Sequence, residues 1–234
     1  MQQIYIVFRR GKQGIAFPAG AAALYAFVNL LTETMDFSLI NASHPLILAS
    51  ASPRRKALLK QVGLPFSAFH SRVQEECASG DPMETTCSLA REKAQSVYNA
   101  GMRGWILAAD TMVVIDRCIL GKPKDKWDAR RMLTALSGRE HQVITGVILL
   151  NPVGAEVFRR AIRSLVEVKE LTAVEIDAYL ATGEPFDKAG GYAIQGLGAF
   201  MIKGIRGSYT NIVGLPVCEV ISALKDAGAL GAFP

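Results

Sequence analysis

Histidine and cysteine are scarce in this chain: three histidines and four cysteines stand among 234 residues. His44, His70 and His141 lie far apart, which argues against a site built mainly from imidazole ligands and leaves each as a surface or structural residue. Cys77, Cys87, Cys118 and Cys218 form no CxxC pair and no closely spaced framework of the kind that staples small secreted domains, so a cytoplasmic setting is expected. Long blocks of Lys or Arg, basic residues interleaved with aromatics and zinc-finger spacings are all missing, so nucleic acid is not an expected partner. The phosphate-cradling GxxxxGK[ST], the zinc-binding HExxH and the nucleophile-bearing GxSxG are absent too. Met201 stands where a third glycine would complete Gly196-x-Gly198-x-x-Gly, which removes a dinucleotide fingerprint.

What the sequence does contain is the material of a folded globular protein. Half of the residues are hydrophobic and a fifth are charged, with a net charge of +5 that suits a protein handling anions as well as it suits an ordinary solvated surface. Residues 1–45 differ from the rest. Arg9, Arg10 and Lys12 precede an uncharged stretch from Gly14 to Leu31, in the manner of a signal or anchor, but Pro18, Gly20 and Asn29 interrupt it and it barely reaches the ~20 residues of a spanning helix. This segment is expected to be a peripheral or poorly ordered extension, with no membrane partner, ahead of an enzyme domain over 46–234.

From Pro45 onward short apolar runs alternate with helical patterns, the rhythm of an α/β fold. Leu46–Ala49 reads as a buried strand, Ser52-Pro53 opens a helix that stops at Gly63, and Phe66–Phe69 reads as a second strand. Asp81-Pro82 starts a helix running to Gly101 that carries Lys93. Trp105–Ala109 and Met112–Ile115 are expected to be two strands meeting at Asp110, followed by an Asp116-Arg117 turn into Cys118–Leu120. A helix over 125–136 precedes a hairpin of His141–Leu150 and Val157–Val168. Thr172 and Glu175 form a capping box for the next helix, and Pro216 opens the last one, with Val217, Val220, Ile221 and Leu224 facing inward.

Several constellations carry chemistry. Ser50-Ala51-Ser52-Pro53-Arg54-Arg55 turns a strand end into a helix N-terminus, where free N–H groups, two hydroxyls and two guanidiniums suit phosphate; the alternative is a plain cap followed by surface arginines. Ala108-Ala109-Asp110-Thr111 holds a carboxylate at a strand junction, able to position a cation or take a proton from water, or to serve only as a turn device. Lys122 and Lys188 sit in turns marked by Gly or Pro, where fixed cations would stabilise charge on a leaving pyrophosphate, or simply face solvent. Gly190–Gly198 is a glycine-rich segment expected to let backbone approach a ligand, and the Gln195 amide, both donor and acceptor, suits the imide face of uracil or thymine.

Taken in order, Leu46–Arg55, Ala90–Ala94, Ala109-Asp110-Thr111, Leu120–Pro123, Leu136–Arg139, Asp187–Gly190, Ile194–Gly196 and Gly207–Pro216 resemble the Maf family, colinearly over about residues 46–227. That resemblance implies a mixed α/β sheet with flanking helices, two lobes about a deep cleft, a divalent metal (Mg²⁺ or Mn²⁺), a homodimer and a nucleoside triphosphate pyrophosphatase activity. It maps the proton acceptor and a metal ligand onto Asp110, a second metal ligand onto Glu75, and substrate contacts onto Ser50, Ser52, Arg54, Arg55, Lys93, Lys122 and Lys188. Arg54, Thr111 and Gln195 resemble the set of members that act on dTTP and UTP, whereas a sister group prefers 7-methyl-GTP. One departure is Gln74, where the family often carries Asp. The alternatives are a pyrophosphatase for 7-methyl-GTP or another modified nucleotide, and a nucleotide-binding regulator of septum formation.

Overall fold

A computed structural model describes residues 5–10, 13–18, 39–71 and 80–231. The chain divides into two compact units, Met1–Ser38 and Leu39–Pro234. In the first, β1 (Tyr5–Arg10) pairs antiparallel with β2 (Gln13–Pro18). The uncharged stretch that ends at Leu31 lies mostly outside the described residues, as does Glu75; among the described residues no helix is long and apolar enough to cross a membrane.

The second unit is built on a seven-stranded mixed sheet. Its strands are β3 (Leu46–Leu48), β4 (Ser67–Ala68), β5 (Trp105–Ile115), β6 (Cys118–Leu120), β7 (Glu140–Leu150), β8 (Glu156–Val168) and β9 (Ile202–Arg206), in the order β4-β3-β5-β7-β8-β9 with β6 also on β5. β3 runs parallel to β4 and β5, and the remaining pairs are antiparallel. Helices α1 (Pro53–Gln61), α2 (Pro82–Asn99), α3 (Lys126–Leu136), α4 (Ala173–Ala181), α5 (Tyr209–Val213) and α6 (Val217–Asp226) complete it, with three short 3₁₀ turns between Glu184 and Met201.

Side-chain alternation along β5 sorts two cores. Ile106 and Ala108 pack with Ala90, Ala94 and Val97 of α2, and Met112 and Val114 pack with Leu89 of the same helix. Val113 and Ile115 point the other way, into a cluster with Met132, Leu133 and Leu136 of α3 and Tyr179 and Leu180 of α4. Each fully buried aliphatic side chain contributes about 1.5–3 kcal/mol, so the strand is anchored from both sides. Helix α2 lies unusually close to the sheet because Gly146 of β7 has no side chain. A Cβ there would stand 2.4 Å from the carbonyl carbon of Thr86.

Two strand expectations are corrected. Trp105–Ile115 is one strand of eleven residues, not two meeting at Asp110. The ladder runs on through Asp110↔Gly146 and Thr111↔Thr145, because the carboxylate finds its partner above the sheet and need not leave it. The strand expected over Phe66–Phe69 shrinks to Ser67–Ala68, since its neighbour β3 offers only three residues to pair with. The capping box at Thr172 and Glu175 is present, and the Asp116-Arg117 turn holds both residues at positive φ, 49° and 65°, as a two-residue hairpin demands. In α6 Val217, Val220 and Leu224 are buried, whereas Ile221 is half-buried.

Candidate active site

The sheet leaves a gap. On one edge of β5, β3 pairs only as far as Leu107 and β6 begins only at Val113, so Ala108–Met112 has no strand beside it on that edge among the described residues. A cleft of about 400 Å³ opens at this gap, and Asp110 and Thr111, which project from opposite faces of the strand, both line it. Crevices where the neighbouring strands of an α/β sheet part are habitual ligand sites.

One wall is the corner between β3 and α1. Ser52 caps α1, its hydroxyl accepting from Arg55 N, and Ser50 Oγ accepts from Ser52 N at 3.2 Å. The Arg55 guanidinium is a three-way tie: Nε donates to Gly214 O at 2.7 Å, Nη1 to Ser50 Oγ at 3.1 Å and Nη2 to Thr111 Oγ1 at 3.0 Å. Gly214 can present its carbonyl this way because it closes α5 at φ 118°. Thr145, buried one strand over, donates to Asn211 O at 3.1 Å, and its oxygen lies 3.0 Å from Thr111 Oγ1. The Thr111 proton is therefore spent on Thr145 or on Gly214 O, while its oxygen accepts from Arg55.

Asp110 forms the floor. It faces α2, as Ala108 and Met112 do, and Lys93 lies two helical turns beyond Thr86, where α2 rests on Gly146. The result is a contact of 2.5 Å between Lys93 Nζ and Asp110 Oδ1, with both side chains 8% exposed. A lone carboxylate at this depth would cost several kcal/mol, and the ammonium offsets that cost. Lys93 thus lines the cleft while committed to Asp110.

The facing wall comes from the 3₁₀ segment. Asp187 lies between two cations, 3.4 Å from Arg54 Nη1 and 2.5 Å from Lys188 Nζ, and Lys188 also donates to Glu184 O at 2.7 Å. Burial works to raise the Asp187 pKa, yet Lys188 and Arg54 outweigh it and hold the carboxyl below the usual range. Tyr192, Ala193, Ile194 and Gln195 continue this wall, and Lys122 closes the rim. The glycines of the segment do not approach the cleft as expected. A Cβ on Gly190 would press on Val113 and one on Gly191 on Pro123, so these glycines let the segment pack against the protein itself.

Ser50, Ser52, Arg54, Arg55, Lys93, Asp110, Thr111, Lys122, Lys188 and Gln195 thus line one cleft. The same cleft takes in His70, Ser71, Asp187 and Tyr192, none of them expected as site residues. His70 carries only the signals of a surface or structural histidine, and Ser71 has no signal in its sequence context. Tyr192 donates to or accepts from His141 Nε2 at 2.7 Å, behind the wall. Among the described residues no group of three or more His, Cys, Asp or Glu could cage a metal ion. A hard cation bound through one or two carboxylates, with water and phosphate oxygens completing its shell, nevertheless fits Asp110 at the cleft floor.

Cations ringed about one buried carboxylate make a cleft suited to phosphate chemistry. The chain matches the family described as Maf-like protein over residues 45–227, and it belongs to that family. It is 47% identical over 191 residues to a protein of Syntrophotalea carbinolica named dTTP/UTP pyrophosphatase, covering 80% of this chain and 87% of the relative. Proteins of the same name from Geotalea uraniireducens, 47% identical over 193 residues (82% and 100% covered), and Halalkalibacterium halodurans, 49% over 185 residues (79% and 96% covered), are equally similar. A solved nucleoside-triphosphatase / dITP/XTP pyrophosphatase from Mycobacterium abscessus is a far more distant likeness, 17% identical with a TM-score of 0.41 over 80% of this chain and 99% of that one.

Proposed function

We propose that this chain hydrolyses dTTP and UTP to the nucleoside monophosphate and pyrophosphate. The observation that carries the reading is the Asp110–Lys93 pair at the floor of a cleft whose walls supply Arg54, Arg55, Lys122 and Lys188. Water attacks the α-phosphorus, its proton passes to Asp110, and the bond from the α-phosphorus to the bridging oxygen of the β-phosphate breaks, so that the electron pair leaves on pyrophosphate. Arg54 and Lys188 give up Asp187 for phosphate oxygens, and Lys122 meets the leaving group; fixed cations of this kind stabilise the charge that develops as the bond breaks. Arg55, Ser50 and the α1 N-terminus hold the phosphate chain in line. Asp110, with Glu75, would hold Mg²⁺ or Mn²⁺, which when bound neutralises phosphate charge.

Gln195 supports the pyrimidine choice, because its amide can donate to O4 and accept from N3–H of uracil or thymine while the wrong base leaves these groups unpaired. The 47–49% identical relatives named dTTP/UTP pyrophosphatase support it as well. Cys87, Cys118 and Cys218 are free thiols, in keeping with a cytoplasmic setting, and the family likeness carries the expectation of a homodimer, which light scattering checks. Asp110→Asn tests the catalytic assignment. Turnover of dTTP is expected to fall about 10²- to 10⁴-fold with nucleotide affinity retained. Binding of dTTP with turnover the same in both proteins would make Asp110 a bystander, and binding with no turnover in either would favour a regulator.

A further inference from the structure

The part of the cleft wall that carries Gln195 hangs from one carboxylate. Glu184 Oε1 accepts from Gly198 N at 2.9 Å and from Tyr179 Oη at 2.9 Å, and Oε2 accepts from Leu197 N at 3.0 Å. The Tyr179 oxygen in turn accepts from Ala193 N at 3.3 Å. Residues 194–196 are therefore clamped on both sides by a single phenol–carboxylate unit. Two glycines make the clamp sterically possible: a Cβ on Gly196 would lie 2.7 Å from Glu184 Oε2, and one on Gly198 would lie 2.4 Å from Ala193 O and 2.7 Å from Tyr179 Oη. Burial of Glu184 works to raise its pKa, but the hydrogen bonds from Gly198, Leu197 and Tyr179 outweigh it and hold the group below the usual carboxylate range. Tyr179 is 2% exposed, so its position is fixed by the core of α3 and α4 rather than by the loop.

We infer that Glu184 and Tyr179 are positioning residues for base recognition, setting where the Gln195 amide stands relative to the phosphate-binding cations. Neither side chain lines the cleft, so they act through the segment they hold. The coupling is built into Glu184 itself: its carboxylate holds the Gln195 segment while its main-chain oxygen accepts from Lys188 Nζ. The distance from base reader to phosphate cation is thus fixed through one residue, and a substrate is measured by base and phosphate together. The inference rests on the reading of Gln195 as the base contact, because an amide selects a base only when its donor and acceptor are held in register with the ring edge.

The test compares kcat/KM for dTTP with that for CTP, whose ring edge inverts the donor and acceptor order. The parent, Tyr179→Phe, Glu184→Gln and Gln195→Ala are measured side by side. Tyr179→Phe removes only the hydroxyl and Glu184→Gln turns one acceptor into a donor facing N–H groups. Both are expected to lower the dTTP:CTP ratio about tenfold, mainly through a higher KM for dTTP, as Gln195→Ala does. If Gln195→Ala lowers the ratio but Tyr179→Phe keeps the parent value, Tyr179 and Glu184 only support the fold and the inference is overturned while base reading by Gln195 stands. If Gln195→Ala itself keeps the parent ratio, base reading fails and takes this inference with it. Should Glu184→Gln not fold, the near-isosteric Tyr179→Phe decides alone.

Discussion

The two walls of the cleft are built differently. Asp110, Thr111 and Ser50 stand on or beside strands of the central sheet, with their partners brought by α1, α2 and the turn at Gly214. Gln195 stands in an irregular stretch between two 3₁₀ turns, without a single ladder bond between Glu184 and Leu197, and depends on a few side chains behind it. The groups that would do chemistry are thus fixed by sheet register, and the group that would choose the base is fixed by a removable clamp. A fold organised in this way can change substrate without disturbing its reacting centre.

If that contrast is real, damage to the sheet wall should appear as lost stability and damage to the other wall as changed selectivity or acid sensitivity. The largest expected effect is at Lys93. Lys93→Met leaves Asp110 buried without its counter-charge and is expected to destabilise by about 3–5 kcal/mol in denaturant melts, with much of the loss recovered in the Lys93→Met/Asp110→Asn double variant. A double variant no more stable than the single one would show that packing, not charge, is at stake.

Behind the other wall, His141 is 2% exposed, its Nδ1 has no partner among the described residues, and burial holds its pKa down to about 4 from an ordinary 6.5. Between those values the unfolded chain binds a proton that the folded chain refuses. This group's share of stability is therefore complete above about pH 6.5, falls as the pH drops toward about 4 and levels off below. The parent should lose on the order of 3 kcal/mol more than His141→Gln over that interval in pH-dependent denaturant unfolding. Equal losses would remove His141 as the cause.

A smaller effect is expected at Gly146. Gly146→Ala places a methyl against the α2 backbone at Thr86 and Cys87, should cost about 1–3 kcal/mol, and should lift α2 enough to lengthen the Lys93–Asp110 contact. Turnover of dTTP and CTP should fall together, with their ratio unmoved. A shift in the ratio would mean that the two walls are not separable.

Sequence alone identified the cleft but not its division of labour. The resemblance to the Maf family brought Ser50, Arg54, Arg55, Asp110, Lys122, Lys188 and Gln195 together, and all of them line the cleft; taken singly, each carries only the local signal of a turn or strand end. What stayed hidden was long-range. Asp110 looked like a junction because a charged residue seemed to interrupt an apolar strand, and only the arrival of Lys93 from α2 explains why the strand continues. Nothing in the local sequence shows that the Thr111 hydroxyl meets Arg55 and Thr145, the latter 34 positions away. The glycines at 196 and 198 looked like room for a ligand and are room for Glu184 and Tyr179, a partnership with no fixed spacing to reveal it.

The central claim is that this cleft takes a pyrimidine nucleoside triphosphate and severs it after the α-phosphorus. Initial rates for dTTP, UTP, CTP, GTP and 7-methyl-GTP, with the products resolved by chromatography, test it most directly. The account predicts that dTTP and UTP lead and that each yields its monophosphate with pyrophosphate in equal amounts. Orthophosphate and a diphosphate as the products, or 7-methyl-GTP at the head of the series, would contradict it.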